Sequence, residues 1–331
     1  SNRHGIFLLT TFASENTIQG NYIGTDLTGA KRLGNFNNGI ALATGARGNL
    51  IGGTGTGARN LISGNAQSGV YLLDSATTGN AIQGNYIGTD ASGVLNLSNA
   101  ADGVTISGAI SNQIGGVSAG VRNVISGNAG RGVLIIGASS RSNSVAGNFI
   151  GTDVNGQAKL PNQLGGVEIF NASSNVIGSL TAAGRNVISG NQLSGVSLND
   201  SNANANSVIG NFIGTDASGS NALGNSRSGV FISGVSSNTI GGAEAGARNV
   251  ISGNGEHGLW LLDARARGNS IRGNYVGTDV NGNRRVGNAN SGIRLETSAN
   301  FIGGTDAATR NVISGNTNSG IYLYLASASN N

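Results

Sequence analysis

The feature that most constrains this chain is a phrase it writes five times. Asn80-Ala-Ile-Gln-Gly-Asn-Tyr-Ile-Gly-Thr-Asp90 has copies ending at Asp26, Asp90, Asp153, Asp216 and Asp279, spaced 64, 63, 63 and 63 residues apart. A second phrase, Arg122-Asn-Val-Ile-Ser-Gly-Asn128, alternates with it and restarts at Arg59, Arg185, Arg248 and Arg310. A fixed period means units too small to bury their own apolar face, which stack on their neighbours to do so. The expectation is one elongated body over residues 1–331, built of five two-rung repeats.

Each unit splits into two rungs, and each rung into three short apolar pieces. The first rung reads Gly5-Ile-Phe-Leu8, Asn16-Thr-Ile18 and Gly20-Asn-Tyr-Ile23; the second reads Gly39-Ile-Ala-Leu42, Asn49-Leu-Ile51 and Asn60-Leu-Ile62. An incomplete eleventh rung starts at Gly320-Ile-Tyr-Leu323. The pieces alternate apolar with variable residues and are bounded by Gly or Asn, a strand signal of period two. Three strands per rung, each pairing with its copy at ~4.8 Å above and below, describe an all-β parallel solenoid roughly 48 Å long. Extra residues fall in two places: after the third strand of odd rungs (Asn85 to Gly103) and after the second strand of even rungs (Asn112 to Asn123). The rod should therefore carry two rows of loops, each recurring every second rung.

Composition agrees and excludes several functions. Charged residues are 10% of the chain, too few for a typical disordered segment. The cations, 17 Arg and 2 Lys, are spread along the chain without a basic run, so no nucleic-acid footprint is expected. There is no Cys, hence no disulfide, thiolate metal site or cysteine nucleophile. No apolar run reaches the ~18 residues of a membrane span.

The pattern G-[IV]-x-L … N-x-I-x-G-N-x-I resembles the parallel β-helix repeat of the pectin-lyase-like superfamily, and is similar to Asn-rich repeats of large bacterial secreted and cell-surface proteins. The resemblance covers essentially the whole chain. It implies a right-handed coil of three sheets, a secreted or surface setting and flanking domains or further repeats. It also implies a first-strand sheet on which related lyases bind polysaccharide. It does not select an activity, because the superfamily holds lyases, hydrolases, epimerases and non-enzymatic adhesins.

Two Asn columns are expected to form amide ladders at the corners, since Asn tolerates left-handed backbone and its amide both donates and accepts. One is Asn21, Asn60, Asn85, Asn123, Asn148, Asn186, Asn211, Asn249, Asn274 and Asn311; the other runs from Asn16 and Asn49 to Asn300. Arg59, Arg122, Arg185, Arg248 and Arg310 form a third column. They are expected to stack on the outward Tyr22, Tyr86, Phe149, Phe212 and Tyr275 and to reach toward the Asp column. That column (Asp26, Asp90, Asp153, Asp216 and Asp279) precedes small turns such as Asp90-Ala-Ser-Gly93. Turn capping is the expected role. A calcium site is the alternative, with Asn65, Asn128, Asn191, Asn254 and Asn316 as the nearby oxygen donors. The apolar side chains outward on the third strand are expected to lie under the loop rows.

Variation between repeats points to function. The outward row of the first strand includes Tyr71, Glu168, Phe231, Trp260, Arg294 and Tyr322, aromatic and polar groups suited to stacking and hydrogen-bonding a glycan or a surface protein. Asp200 and Asp263 occupy equivalent positions two rungs apart, a backbone separation of roughly 9.6 Å. That is near the ~6.5–9.5 Å of inverting glycosidase carboxylates, with Glu296 and His257 close by. Because Asp74 stands at the same repeat position, a recurring turn residue is the competing explanation. The preferred reading is a non-catalytic structural or adhesive module that binds on the first-strand face. A polysaccharide hydrolase or lyase acting on that face is the alternative.

Overall fold

The computed structural model describes residues 2–55, 57–118, 120–324 and 328–331. It is an all-β parallel solenoid in which 31 short strands fall into three sheets of 11, 10 and 10 strands. Every third strand of the chain shares a sheet, and each pairing is parallel. Ile6–Leu9 pairs with Ile40–Ala43, and Leu259–Leu262 with Ile293–Leu295. Two single turns of 3-10 helix, Ala182–Gly184 and Ala307–Thr309, are the only helical elements among the described residues. No helix there is long and apolar enough to cross a membrane.

Register puts like residues in like places. On the second-strand sheet Ile82, Ile114, Val145 and Ile177 follow one another inward, and on the third-strand sheet Ile87, Ile125, Ile150 and Ile188 do the same. All eight are wholly buried in one continuous core. Each such side chain contributes ~1.5–3 kcal/mol relative to exposure, and none could be buried within its own rung.

The corners differ from expectation in two respects. The left-handed residue is not the ladder Asn but commonly the one before it: Glu15, Ser111, Ser142, Ser174, Ala205, Ser237 and Ala299 precede Asn of the Asn16 column, and Gly84 and Gly147 precede Asn of the Asn21 column. That residue reverses the chain so that the Asn can turn its amide inward along the stack. There are also three ladders, not two. The third alternates Asn35, Asn65, Asn99, Asn128, Asn162 and onward to Asn316, linked by Nδ2–Oδ1 hydrogen bonds of 2.8–3.0 Å. Asn65, Asn128, Asn191, Asn254 and Asn316, considered as cation ligands from sequence, are therefore spent on structure. Along the Asn16 ladder the Oδ1 of one Asn accepts both the backbone N–H and the Nδ2 of the Asn one rung before, as between Asn80 and Asn112 (3.0 Å each).

The loops of the odd rungs fold back as hairpin-like turns, bridged at Thr89–Asn96 and Thr152–Lys159. Ala91, Val154, Ala217 and Val280 from these loops pack over the outward apolar column. Val124 and Val250 are left 2% and 1% exposed. The loops also bond to one another across two rungs, with Val154 N–H donating to Gly93 O and Val280 N–H to Gly219 O. The apolar stripe that would otherwise be a docking surface is thus internal.

Candidate functional site

The Asp column sits at the mouths of the hairpin loops. Asp90 accepts from the Ser92 hydroxyl at 2.7 Å and from the Leu95 and Val94 amides at 3.1 and 3.3 Å; Asp153 accepts from the Gln157 and Ala158 amides at 2.8 and 3.0 Å. Asp279 does the same with Asn283 and Arg284. Among the described residues no three His, Cys, Asp or Glu side chains converge as a metal site. Burial is the largest influence on Asp90 and pushes its pKa up, but the Ser92 hydroxyl and the turn amides more than offset it and hold the carboxyl below its ordinary value. The same balance acts at Asp26 and Asp216. At Asp279 the Arg284 and Asn283 amides lead and lower it directly.

A carboxyl depressed in the folded state stabilises above its unfolded pKa, and that contribution is lost as pH falls through the folded value. Urea midpoints should therefore fall in two stages on acidification, first below about pH 6.5, where buried His257 with its lowered pKa favours the unfolded chain, and again below about pH 4 from the Asp column. The double variant D90N/D216N should show a shallower acid limb than the parent.

The Arg column stacks on the ring of the next rung. The guanidinium carbon lies 4.0 Å from the ring centroid for Arg59 over Tyr86, 4.1 Å for Arg122 over Phe149 and 4.2 Å for Arg185 over Phe212. Arg248 lies 4.1 Å from the Tyr275 ring. Arg122, Arg185 and Arg248 do not pair with the Asp column. Their Nε–H groups donate to the carbonyls of Gly147, Gly210 and Gly273, because the Asp carboxylates are turned into their own loops. Among the described residues no Arg lies over Tyr22, which is half exposed.

On the first-strand sheet, Glu168, Ser197, Phe231, Trp260, Arg294 and Tyr322 stand on successive strands in register. The upper part is a compact cluster. The Phe231 and Trp260 centroids are 5.3 Å apart edge-on, and Arg294 lies 5.1 Å from the Trp260 ring and 4.8 Å from that of Tyr324. Glu296 accepts from Trp260 Nε1 at 3.1 Å and lies 2.7 Å from Arg294 Nε, an ion pair by distance whose N–H is not aimed at the oxygen. Buried His257 packs 5.7 Å from Trp260. Desolvation, then Arg294, lowers its pKa. Tyr71 stands lower on the same sheet beside Thr105, half-buried.

The candidate carboxylate pair is differently employed. Asp74, Asp200 and Asp263 all have positive φ (72°, 68° and 78°), so the three are one recurring turn residue at the end of the first strand. Asp263 is bound by Arg265 Nη2 at 3.1 Å and by the Arg265 amide at 3.0 Å, which hold its pKa low. The Asp200 carboxylate accepts from the Ser201 amide at 2.6 Å. The lowered pKa of Asp263 is the reverse of what a general acid needs, and Glu296 belongs to the Trp260 cluster.

A cleft that the sequence did not single out lies just below that cluster. It has a volume of about 260 Å³ and is lined by Glu168, Ser197, Asn199, Arg227, Leu193 and Phe231 among others. Glu168 is held by Arg131 and by Asn199 Nδ2 (3.0 Å), and Arg131 is fixed in turn by Asp102, which accepts its backbone N–H at 2.7 Å. Arg227 is exposed and free of any ion pair among the described residues. Glu168, Ser197 and Asn199 were visible as variable outward residues. Arg131 stands one residue and Arg227 two residues before the strand's leading Gly, outside any recurring phrase.

The fold and this face define a parallel β-solenoid with one varied sheet. No family model and no curated protein matches the sequence. Among solved structures, the chain is similar to the A-module of a mannuronan C-5 epimerase of Azotobacter vinelandii. That match is at 15% identity and TM-score 0.50, over 92% of this chain and 75% of that one. A periplasmic alginate epimerase matches at 14% identity and TM-score 0.41, over 87% of this chain and 61% of that one. At these identities the likeness is one of fold.

Proposed function

We propose that this chain is a non-catalytic β-helix module that binds polysaccharide on its first-strand face, as part of a secreted or cell-surface bacterial protein. The observation that carries the reading is the cleft ending at Phe231. It pairs apolar surface from Phe231 and Leu193 with convergent polar groups from Arg227, Ser197 and Asn199, the mixture a sugar's C–H faces and hydroxyls require. The carboxylates around it support binding over catalysis. Glu168 is paired with Arg131, Asp263 with Arg265, and Glu296 with Trp260 and Arg294. The similarity to alginate epimerases adds only the fold.

A glycan array combined with reducing-end and unsaturated-product assays tests this. Binding without turnover is expected, with affinity falling about tenfold, or ~1.4 kcal/mol, in F231A. Turnover abolished by Glu168→Gln or Asp263→Asn would replace the module with a polysaccharide hydrolase or lyase.

A further inference from the structure

A second surface lies on a different side of the rod, between the two loop rows and over the third-strand sheet. Two adjoining clefts of about 540 and 410 Å³ share Arg59, Tyr86 and Gly120, and Arg122 continues the second. Neither is lined by a carboxylate. Among the described residues no Asp or Glu lies within ion-pair distance of Arg59 or Arg122. Each guanidinium carbon instead sits 4.0–4.1 Å over a ring centroid, which holds the cation in place and leaves its terminal N–H groups as donors for an oxyanion. Burial pushes the pKa of Arg122 below its usual value, the sign of a cation stripped of part of its water with no anion to compensate.

We propose that this groove is a binding site for an acidic polysaccharide, whose carboxylates or sulfates meet Arg59 and Arg122 in succession. The two cations are two rungs apart, ~9.6 Å, so an extended chain lying along the groove reaches both. Single-stranded nucleic acid is disfavoured because it needs a series of open aromatic faces for base stacking, and half-exposed Tyr22 at one end of the first cleft is a single one. Tyr86 is 6% exposed, covered by Arg59 and by the loop at Gly93, where an added Cβ would lie 2.9 Å from the ring. An acidic peptide is disfavoured because the third-strand sheet is fully paired along this flank, so no strand edge is open for backbone pairing. This site does not depend on the first-strand cleft.

The test is affinity electrophoresis and calorimetry of the whole chain with polygalacturonate, a neutral β-glucan, sodium sulfate and oligothymidylate. Polygalacturonate is expected to bind in a salt-sensitive way, more tightly than the other three. Its Kd should rise about tenfold in R59Q/R122Q, the effect of ~1.4 kcal/mol. Because those variants also disturb the stacks, T54E/S118E is the second test. Thr54 and Ser118 are exposed on the groove wall and are members of neither Arg–ring pair, so this variant should melt like the parent yet lose the same affinity.

Unchanged affinity in both variants would overturn the proposal, as would no polygalacturonate binding at all. Equal binding of oligothymidylate would replace it with a nucleic-acid site, and sulfate binding as tight as the polymer's would reduce it to a simple anion site. Affinity lost in F231A but not in R59Q/R122Q would refute this groove and leave the first-strand reading standing.

Discussion

Asn148→Ala should cost about 3–5 kcal/mol of stability, an effect outside the range of surface changes. The Asn148 side chain is wholly buried, and its Nδ2 donates to Ile114 O at 2.9 Å, Ala146 O at 3.0 Å and Asn186 Oδ1 at 3.1 Å. Its Oδ1 accepts Asn123 Nδ2 at 2.8 Å. Truncation strands these partners in a place without water, and an unpaired buried group costs ~1–3 kcal/mol. The deficit falls on the adjoining rungs, because the Asn ladders bond only from one rung to the next. Asn148→Asp should be nearly as damaging, since a carboxylate keeps the shape but cannot donate to the two carbonyls. Exposed Asn281 is the control, where Asn281→Ala should stay within about 0.5 kcal/mol. Urea denaturation of the three variants checks the ranking; an Asn148→Ala midpoint equal to the control would remove the ladder from the account.

Gly115→Ala is expected to be at least as severe, about 4 kcal/mol or more, with low soluble yield as the first sign. Gly115 has φ of +79°, and an added Cβ would lie 2.1 Å from Ala146 O and 2.5 Å from Asn148 Oδ1. Neither atom can retreat, as one is backbone of the next rung and the other belongs to the ladder. Gly57 separates the causes. Its φ is +81°, yet nothing lies within 4 Å of the added atom, so Gly57→Ala should show backbone strain alone, about 1–2 kcal/mol. Similar losses at both glycines would mean that the close rung-to-rung approach at Gly115 matters little.

The fold was legible because its cause is periodic. Each inward Ile or Val recurs at the same offset, so the 63-residue phrase states the register directly. The Asn21 and Asn16 columns were legible for the same reason. The third ladder was not, because its members alternate between two settings. Asn65 and Asn128 lie in the conspicuous Ser-Gly-Asn phrase, while Asn35, Asn99, Asn162, Asn225 and Asn288 lie at the end of the loop, after Leu33, Leu97, Leu160, Leu223 and Val286. That Leu/Val-x-Asn spacing was available and would have completed the column.

The candidate site was legible only in outline. Variation along the first strand drew attention to the face that carries the cleft and to Phe231, but a cleft depends on which side chains lean together across rungs. Arg131 reaches Glu168 from 37 residues away, and no single phrase records that. Conversely, Asp200 and Asp263 looked like a catalytic pair by spacing alone. Their shared left-handed backbone explains the spacing as turn geometry.

The central claim is that the varied residues of the first-strand face bind glycan on a scaffold held by the repeated Asn, Ile and Gly. Measuring glycan affinity and thermal melting together on F231A tests it most directly. The account predicts an affinity loss of about tenfold with secondary structure and cooperative melting retained. Unchanged glycan affinity in a folded F231A protein would contradict it.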